Sequence, residues 1–253
     1  LCKSMKSKIL FLFIALMQMT GLSQTASAVY PLTSTTATSV TITGDIFGSN
    51  ESFGQMMINN YNGPNSSQRV TTLTGSWPGE TQQNDERFIQ FAVHPLPGNN
   101  FTVTSILMDL GAAGGGNMRA NIRYSTDSTF TNSVLLNSSV LALPSGAFLS
   151  PSPNYSINHT VYDGETFYLR IYPWYTSSSS GKYVCPQNVT ISGTTTAASL
   201  ITVLVNELPA FGAVVFGNNS ASQSYTVSGA GLTGDITITA PEYFTVSSDN
   251  LSF

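Results

Sequence analysis

The amino-acid sequence predicts an all-β protein whose main domain is an antiparallel β-sandwich, similar to a jelly roll. Beyond the N-terminal segment, short runs alternate between apolar and polar residues, which is the two-residue period of a strand with one buried face. Clusters of Gly, Pro, Asn and Ser separate these runs and indicate turns. Helical periodicity is nearly absent. Because 41% of residues are hydrophobic and only 9% are charged, the composition favours a packed core over disorder.

The first 28 residues are predicted to be a secretory signal peptide. Lysines at positions 3, 6 and 8 make its start positive, and residues 9–17 form an apolar run without a charge. That run is too short to cross a bilayer of about 30 Å, so we expect no stable membrane insertion. Met5 is the expected translation start.

Cleavage is predicted after Ala28, because Ala26-Ser27-Ala28 supplies the small residues that a signal peptidase accepts. The mature protein is therefore expected to be secreted or held at the cell surface, and we expect a monomer. Removal of the signal peptide leaves six basic residues against 13 acidic ones. This balance argues against a nucleic-acid-binding protein, which needs a basic surface.

Four segments of the main domain, residues 29–196, show the alternating pattern most clearly. Alternate residues in each segment are apolar and are expected to face the core. They are Ile89, Phe91 and Val93; Ile106, Met108 and Leu110; Met118, Ala120, Ile122 and Tyr124; and Phe167, Leu169 and Ile171.

A second, shorter domain is predicted over residues 200–253, after a linker at residues 194–199. Its segments 201–205, 211–216, 225–228, 235–239 and 243–246 resemble the strands of a truncated immunoglobulin-like domain. The strand-like pattern at the end has no closing element. We therefore expect the chain to be the front part of a longer protein.

No catalytic centre can be identified from sequence motifs. Cys185 is the single cysteine after the signal peptide, and it is interpreted either as a nucleophile or as a small buried residue. His94 and His159 are not part of an HExxH motif, and no GxSxG motif is present. The glycine-rich residues 111–116 lack the Lys-Ser/Thr pair of a phosphate-binding loop.

Acidic residues cluster in two predicted loops and leave two hypotheses open. Glu80, Asp85 and Glu86 precede one strand, and Asp163 and Glu165 flank the turn before another. Paired carboxylates can hydrolyse glycosidic bonds when rigid elements hold them at a fixed separation. Alternatively, loop Asp, Asn and carbonyl oxygens can hold a structural calcium ion, and no other cofactor is expected.

Arginine and aromatic residues on the non-core faces of two predicted strands suggest a carbohydrate-binding surface. Planar donors suit sugar hydroxyls and carboxylates, and flat aromatic rings pack on the C–H faces of sugars. The candidate residues are Tyr168, Arg170, Tyr172, Trp174, Tyr175, Arg119, Arg123 and Trp77. Trp77 is interpreted either as an exposed loop aromatic or as a buried core residue. In the alternative interpretation, the rings cover the end of the sandwich and the arginines pair with Asp109, Asp127 or Glu165.

Several longer motifs resemble a known module. They are GSWPGE (75–80), QNDERFIQFAV (83–93), NFTVTS (100–105), MDLGA (108–112), NMRANIRYSTD (117–127), DGETFYLRIYPWY (163–175), KYVC (182–185) and NVTISG (188–193). Together they are similar to a β-sandwich module at the front of secreted pectin-degrading enzymes of Bacteroidetes, which are pectate lyases and less often pectin esterases. The second domain resembles the immunoglobulin-like repeats of secreted Bacteroidetes proteins.

The resemblance implies a non-catalytic accessory module of a polysaccharide-degrading enzyme, with plant cell-wall polysaccharide such as pectin as its partner. A lyase catalytic domain would then lie outside these residues. Two alternatives remain: a structural spacer or docking module without a ligand, and a small glycan-active enzyme. Buried Tyr172 and Trp174 rings would favour the spacer.

Overall fold

The computed structural model describes residues 23–33, 40–205, 207–211, 220–232, 234–242 and 244–247. These residues form strands and one short 3-10 turn, Pro64–Ser66, and none of their helical segments is long and apolar enough to cross a membrane. The strands are β1 (Gln24–Tyr30), β2 (Thr41–Thr43), β3 (Ile46–Gly48), β4 (Ser52–Phe53), β5 (Met56–Asn60), β6 (Arg69–Thr72), β7 (Ser76–Pro78), β8 (Ile89–Pro95), β9 (Asn99–Ala113), β10 (Met118–Ser125), β11 (Val134–Leu135), β12 (Leu141–Ala142), β13 (Asn154–Val161), β14 (Phe167–Tyr175), β15 (Ser178–Ser180), β16 (Tyr183–Ala197), β17 (Leu200–Val203) and β18 (Val227–Ala230).

Two seven-stranded antiparallel sheets and a small antiparallel sheet of β7 and β15 make up the main domain. In the first sheet the order is β13-β9-β16-β1-β2, and the β5-β6 pair joins β16 through β6. In the second sheet the order is β11-β10-β14-β8-β3, with β12 against β10 and β4 against β8. The all-β, antiparallel sandwich predicted from the sequence is therefore confirmed.

One apolar cluster lies between the two sheets and confirms the predicted strand faces. The apolar residues predicted to face inward in β8, β9, β10 and β14 are fully buried, except Tyr124, which packs against the cluster while half-buried. Each large buried side chain contributes about 1.5–3 kcal/mol through the hydrophobic effect. The Tyr30 hydroxyl of the first sheet also donates to the Ala92 carbonyl oxygen of the second, at 3.1 Å.

The two longest strands, β9 and β16, pair along nearly their whole length and form the centre of the first sheet. The pairing shifts register between Gln187 and Thr190 and again between Ser192 and Gly193. At the second shift a Cβ atom on Gly193 would collide with the Thr102 carbonyl oxygen. Glycine at this position is what lets the two backbones approach. β16 continues to Ala197, so most of the predicted linker at residues 194–199 belongs to the sheet.

The N-terminal strand β1 conflicts with the predicted cleavage after Ala28. Gln24–Tyr30 is an interior strand, paired with β16 on one side and β2 on the other. Ala26 and Ala28 are buried in the core. Cleavage after Ala28 would remove five of the seven strand residues, so the sandwich begins at Gln24 and not at residue 29. The lysines and the apolar run of the predicted signal peptide lie outside the described residues.

In the region after the main domain, β17 and β18 form a two-stranded antiparallel sheet. These strands differ in their bounds from the predicted segments 201–205 and 225–228, and residues 235–239 are described without a strand. The predicted strand 211–216 lies outside the described residues except for Phe211, and the strand 243–246 is described only from Phe244. The immunoglobulin-like fold of this region stays a prediction.

A buried carboxyl–amide pair interrupts the apolar interior. Gln68 Nε2 donates to Glu51 Oε1, while Glu51 Oε2 and Gln68 Oε1 are buried without a hydrogen-bond partner. Burial raises the pKa of the Glu51 carboxyl from 4.5 to about 7. Burial also raises the pKa values of the neighbouring Tyr30 and Tyr61 hydroxyls, which therefore stay neutral in this range. A proton on Glu51 makes one of the two orphaned oxygens a donor, so the protonated acid suits this environment.

We expect the sandwich to lose stability between about pH 4.5 and pH 7 because of Glu51. The folded state holds the proton with a raised pKa, so the stabilisation is complete below the unfolded pKa and is lost as the pH rises to the folded value. The loss is roughly 3 kcal/mol, at 1.36 kcal/mol per pKa unit.

Urea unfolding of wild type and Glu51→Gln across this pH range measures the effect, and the variant should show a flatter dependence. Glu165→Gln is the matched control. Glu165 is exposed and accepts from the Tyr162 N–H, a bond that glutamine retains. An unchanged pH slope in Glu51→Gln would contradict the assignment.

Candidate functional site

The outer face of the second sheet carries most of the arginine and aromatic residues predicted to bind carbohydrate. Antiparallel pairing of β10 and β14 places Arg119 opposite Trp174 and Arg123 opposite Arg170, with Asn121 opposite Tyr172 between them. Two loops, residues 79–88 and 126–133, cover much of this face. The outer face is therefore largely covered by loops, with its β14 residues Arg170, Tyr172 and Trp174 buried, and it is not the open surface that the sequence suggested.

Arg170 holds both loops against the sheet. Its guanidinium carbon lies 3.8 Å from the ring centroids of Phe88 and of Phe130, so the cation is stacked between one ring from each loop. Its Nε donates to Gln90 Oε1 at 2.7 Å, and Nη2 donates to the Ser128 carbonyl oxygen at 3.0 Å. Arg170 is 9% exposed. Its donors are engaged within the protein, and Arg170 is not available for a ligand.

The two tyrosines beside Arg170 complete this layer. Tyr172 is buried, its hydroxyl accepts from Arg170 Nη1 at 3.2 Å, and its ring meets the edges of Phe88 and Phe130. Burial raises the pKa of the Tyr172 hydroxyl. Tyr168 is half-buried and meets Phe130 edge to face. These rings contribute packing energy to the loop layer.

An open cleft of about 350 Å³ lies at one end of the same face. The loop at residues 79–88 supplies one wall, the strands β10 and β14 supply the floor, and Val140 contributes an apolar edge. The polar and aromatic lining residues are Thr81, Gln82, Gln83, Asp85, Asn121, Arg123 and Trp174. The structure thus brings together Arg123 and Trp174, two of the eight predicted residues.

Two donors of the cleft residues have no partner in the protein. Trp174 Nε1 and Arg123 Nε are both buried without a hydrogen bond, although Arg123 Nη1 donates to Ser133 Oγ at 3.0 Å. By contrast, Asn121 donates to Gln83 Oε1 at 2.8 Å and accepts from Asn137 Nδ2 at 2.9 Å. Buried donors without partners are uncommon in folded proteins and require an explanation. The cleft also holds one carboxylate, that of Asp85.

Three other candidate residues lie outside the cleft lining. Tyr175 points to the opposite side of the sheet from Trp174 and belongs to the core. Trp77 is fully buried in β7, and its Nε1 donates to the Lys182 carbonyl oxygen at 2.9 Å, so of its two interpretations the structure fits core burial. Arg119 donates to the carbonyl oxygens of Gly116 and Met118.

The sequence-based alternative, in which the rings cover the sandwich, is right about burial but wrong about the arginine partners. Asp109 accepts from Ser152 and Asn188, Asp127 from Thr129, and Glu165 from the Tyr162 N–H. Arg119, Arg123 and Arg170 bond to carbonyl, hydroxyl and amide groups instead. The ion pair found among the described residues joins a different arginine, Arg87, to Glu80.

Candidate catalytic residues do not share one site in the part of the chain that the structure describes. Glu80 is paired with Arg87, and Asp85 lines the cleft. Asp163 accepts from the Gly98 N–H at 3.0 Å, whereas His159 packs against Tyr124 and Phe167. Glu80 and Asp85 share the loop at residues 79–88, whereas Asp163 and His159 belong to other elements, which counts against one site that uses all four. Among the same residues no three His, Cys, Asp or Glu side chains form a group suited to a metal ion, and structural calcium stays a prediction.

The remaining candidate nucleophile, Cys185, lies in the interior. Its thiol is fully buried in β16, and burial raises its pKa to about 12. A thiolate is the reactive form of cysteine, and this site disfavours it. The interpretation of Cys185 as a small buried residue fits the structure.

Sequence reasoning did not identify Thr81, Gln82, Gln83 and Asn121 as cleft residues. The first three belong to a loop that folds back over the sheet, and no periodic pattern indicates where such a loop will lie. Asn121 was visible only as a polar residue between two arginines on the outer face of β10.

In comparisons with known proteins, no family model and no curated protein matches this chain. The resemblance to the front module of pectin-degrading enzymes therefore stays a hypothesis.

We expect Arg170→Lys to destabilise the protein by about 2–4 kcal/mol. A lysine ammonium cannot stack flat between Phe88 and Phe130 or donate simultaneously in the same fork geometry. Chemical denaturation measures the change. Arg119→Lys is the matched control on the neighbouring strand, with an expected change within about 0.5 kcal/mol. Equal effects of the two substitutions would show that Arg170 does not have the special role inferred from its stacking.

We expect Cys185 to be unreactive in the folded protein. A water-soluble disulfide reagent such as DTNB should label it at the rate of unfolding, because the thiol is both inaccessible and protonated. The control is the same chain in denaturant, where labelling should be immediate. Rapid labelling under native conditions would contradict the buried assignment.

Proposed function

We propose that this chain is a non-catalytic accessory region of a secreted polysaccharide-degrading protein, and that its sandwich binds an acidic plant cell-wall polysaccharide such as pectin in the cleft beside Trp174. The whole protein is proposed to be a pectate lyase or a related pectin-degrading enzyme, whose catalytic domain lies outside these residues. Export by the N-terminal signal peptide is part of this proposal.

The observation that carries the proposal is the set of unpaired donors in the cleft. Trp174 Nε1 and Arg123 Nε are buried without partners in two residues that line the cleft, so a ligand that presents acceptor oxygens would satisfy them once these side chains turn toward it. The guanidinium of Arg123 adds a positive charge, which favours a carboxylate over a neutral hydroxyl. Asp85 offers an acceptor to a sugar hydroxyl in the same cleft.

The arrangement suits recognition better than chemistry. Carboxylate catalysis of glycoside hydrolysis needs a second acid near the first, and Asp85 is the one acid that lines this cleft. The amide side chains and the Trp174 indole that line the cleft with Asp85 are typical of groups that orient a ligand without exchanging protons. Catalysis by the whole protein is assigned to its proposed catalytic domain.

A structural spacer or docking module without a ligand is the second candidate. The burial of Tyr172 and Trp174, which are 2% and 3% exposed, favours it because carbohydrate stacking needs an accessible ring face. The two proposals differ in one measurable property, which is retention by a polysaccharide.

We expect the exported chain to be retarded by homogalacturonan in affinity electrophoresis and less by neutral glycans. Arg123→Gln and Trp174→Phe should each weaken the interaction roughly tenfold or more, since each removes a donor that the ligand would satisfy. Arg119→Gln lies on the same sheet face outside the cleft lining and should leave retention unchanged.

Thermal unfolding of each variant confirms that it is folded before binding is compared. Absence of retention on every polymer would favour the spacer. Retention that all three variants share would place the binding surface elsewhere.

A further inference from the structure

The first strand gives a physical reason to reassign the processing site of the signal peptide. All seven residues of β1 pair with β16, from Gln24 opposite Thr195 to Tyr30 opposite Val189. On its other edge β1 pairs with β2 through residues 27–29. β1 is therefore an interior strand, with neighbours on both sides.

Loss of the first five strand residues would expose two strands at once. β16 would lose its partner over most of the paired length, and β2 would lose two of its three pairings. The freed N–H and C=O groups and the apolar pocket around Ala26 and Ala28 would then need water or another chain. A mature chain that starts at Val29 would therefore lack most of the strand that joins β16 to β2 in the first sheet.

The small size of Ala26 and Ala28 also has a packing explanation. Ala28 is fully buried, and Ala26 lies against Gly44, so close that a Cβ atom at position 44 would lie 2.8 Å from the Ala26 Cβ. Larger residues would not fit at either position. Core packing therefore explains why small residues stand at these two positions, without a role in recognition by a signal peptidase.

The same spacing of small residues occurs five positions earlier, at Gly21 and Ser23. Ser23 is exposed and directly precedes β1. Small residues one and three positions before the cut are what a signal peptidase accepts. We propose that the signal peptide is removed by hydrolysis of the Ser23–Gln24 peptide bond, and that the mature chain begins at Gln24 with β1 intact. This inference rests on the proposed export.

In the proposed step, water adds to the Ser23 carbonyl carbon and the C–N bond to Gln24 breaks. The products are a carboxylate on Ser23 and a free amino group on Gln24. The peptidase is supplied by the export pathway, and this chain contributes only the substrate sequence.

The test is expression of the full chain from Met5 in an exporting bacterial host. The N-terminal peptide of the exported protein is identified by tandem mass spectrometry. The expected N-terminus is Gln24, free or cyclised to pyroglutamate. An exported chain that begins at Val29, or at any other residue, overturns the inference while export itself stands. An unprocessed chain retained in the cytoplasm overturns both the inference and the proposed export.

Two matched variants locate the recognised bond. Ser23→Leu places a bulky residue directly before the cut and should abolish the Gln24 terminus. Thr25→Leu changes a second exposed hydroxyl residue two positions away, and the chain should still be cut before Gln24. A Gln24 terminus that persists in Ser23→Leu, or that is lost in Thr25→Leu, contradicts the assignment.

Discussion

The stacking of the Arg170 guanidinium between Phe88 and Phe130 determines the outer surface of the second sheet. A single cation joins three separate parts of the chain, because β14 carries the arginine and two loops carry the rings. Each of its three nitrogens donates one hydrogen bond, to Gln90, Tyr172 and Ser128, and among the described residues these neutral groups take the place of a carboxylate partner. The planar, delocalised charge of arginine makes this possible, since a guanidinium is weakly hydrated and stacks on aromatic faces.

The cleft depends on that contact. Its wall is the loop at residues 79–88, and Phe88 at the end of this loop is one of the two rings that stack on Arg170. Arg170, which a surface-binding hypothesis would assign to a ligand, instead holds in place the loop that forms the wall of the cleft. Two other residues of that hypothesis line the cleft itself, the half-buried Arg123 and the buried Trp174. Fewer residues of this face are placed to contact a ligand than its arginine and aromatic content suggests.

Beneath this layer the sandwich is held by packing, without a disulfide in the described residues. Alternating apolar residues of both sheets meet in one cluster, and the Tyr30 hydroxyl ties the sheets together at the Ala92 carbonyl. The chief departure from this apolar interior is the Glu51–Gln68 pair, whose orphaned oxygens require a proton or a neighbour. That pair links the stability of the fold to pH.

The sequence by itself determined the fold class and the inward face of the strands, because alternation with period two is a local property of the chain. Ile122 and Leu169 are in the core for a reason visible within eight residues of each. The tertiary structure decided everything that depends on residues distant in sequence. Trp77 is buried because it donates to Lys182, more than a hundred residues away. Arg170 is unavailable because two loops close over it, and Ala26 and Ala28 are core residues because β16 pairs beside them. Periodicity shows which side of a strand faces inward, but what covers the other side is set by loops whose paths no local pattern specifies.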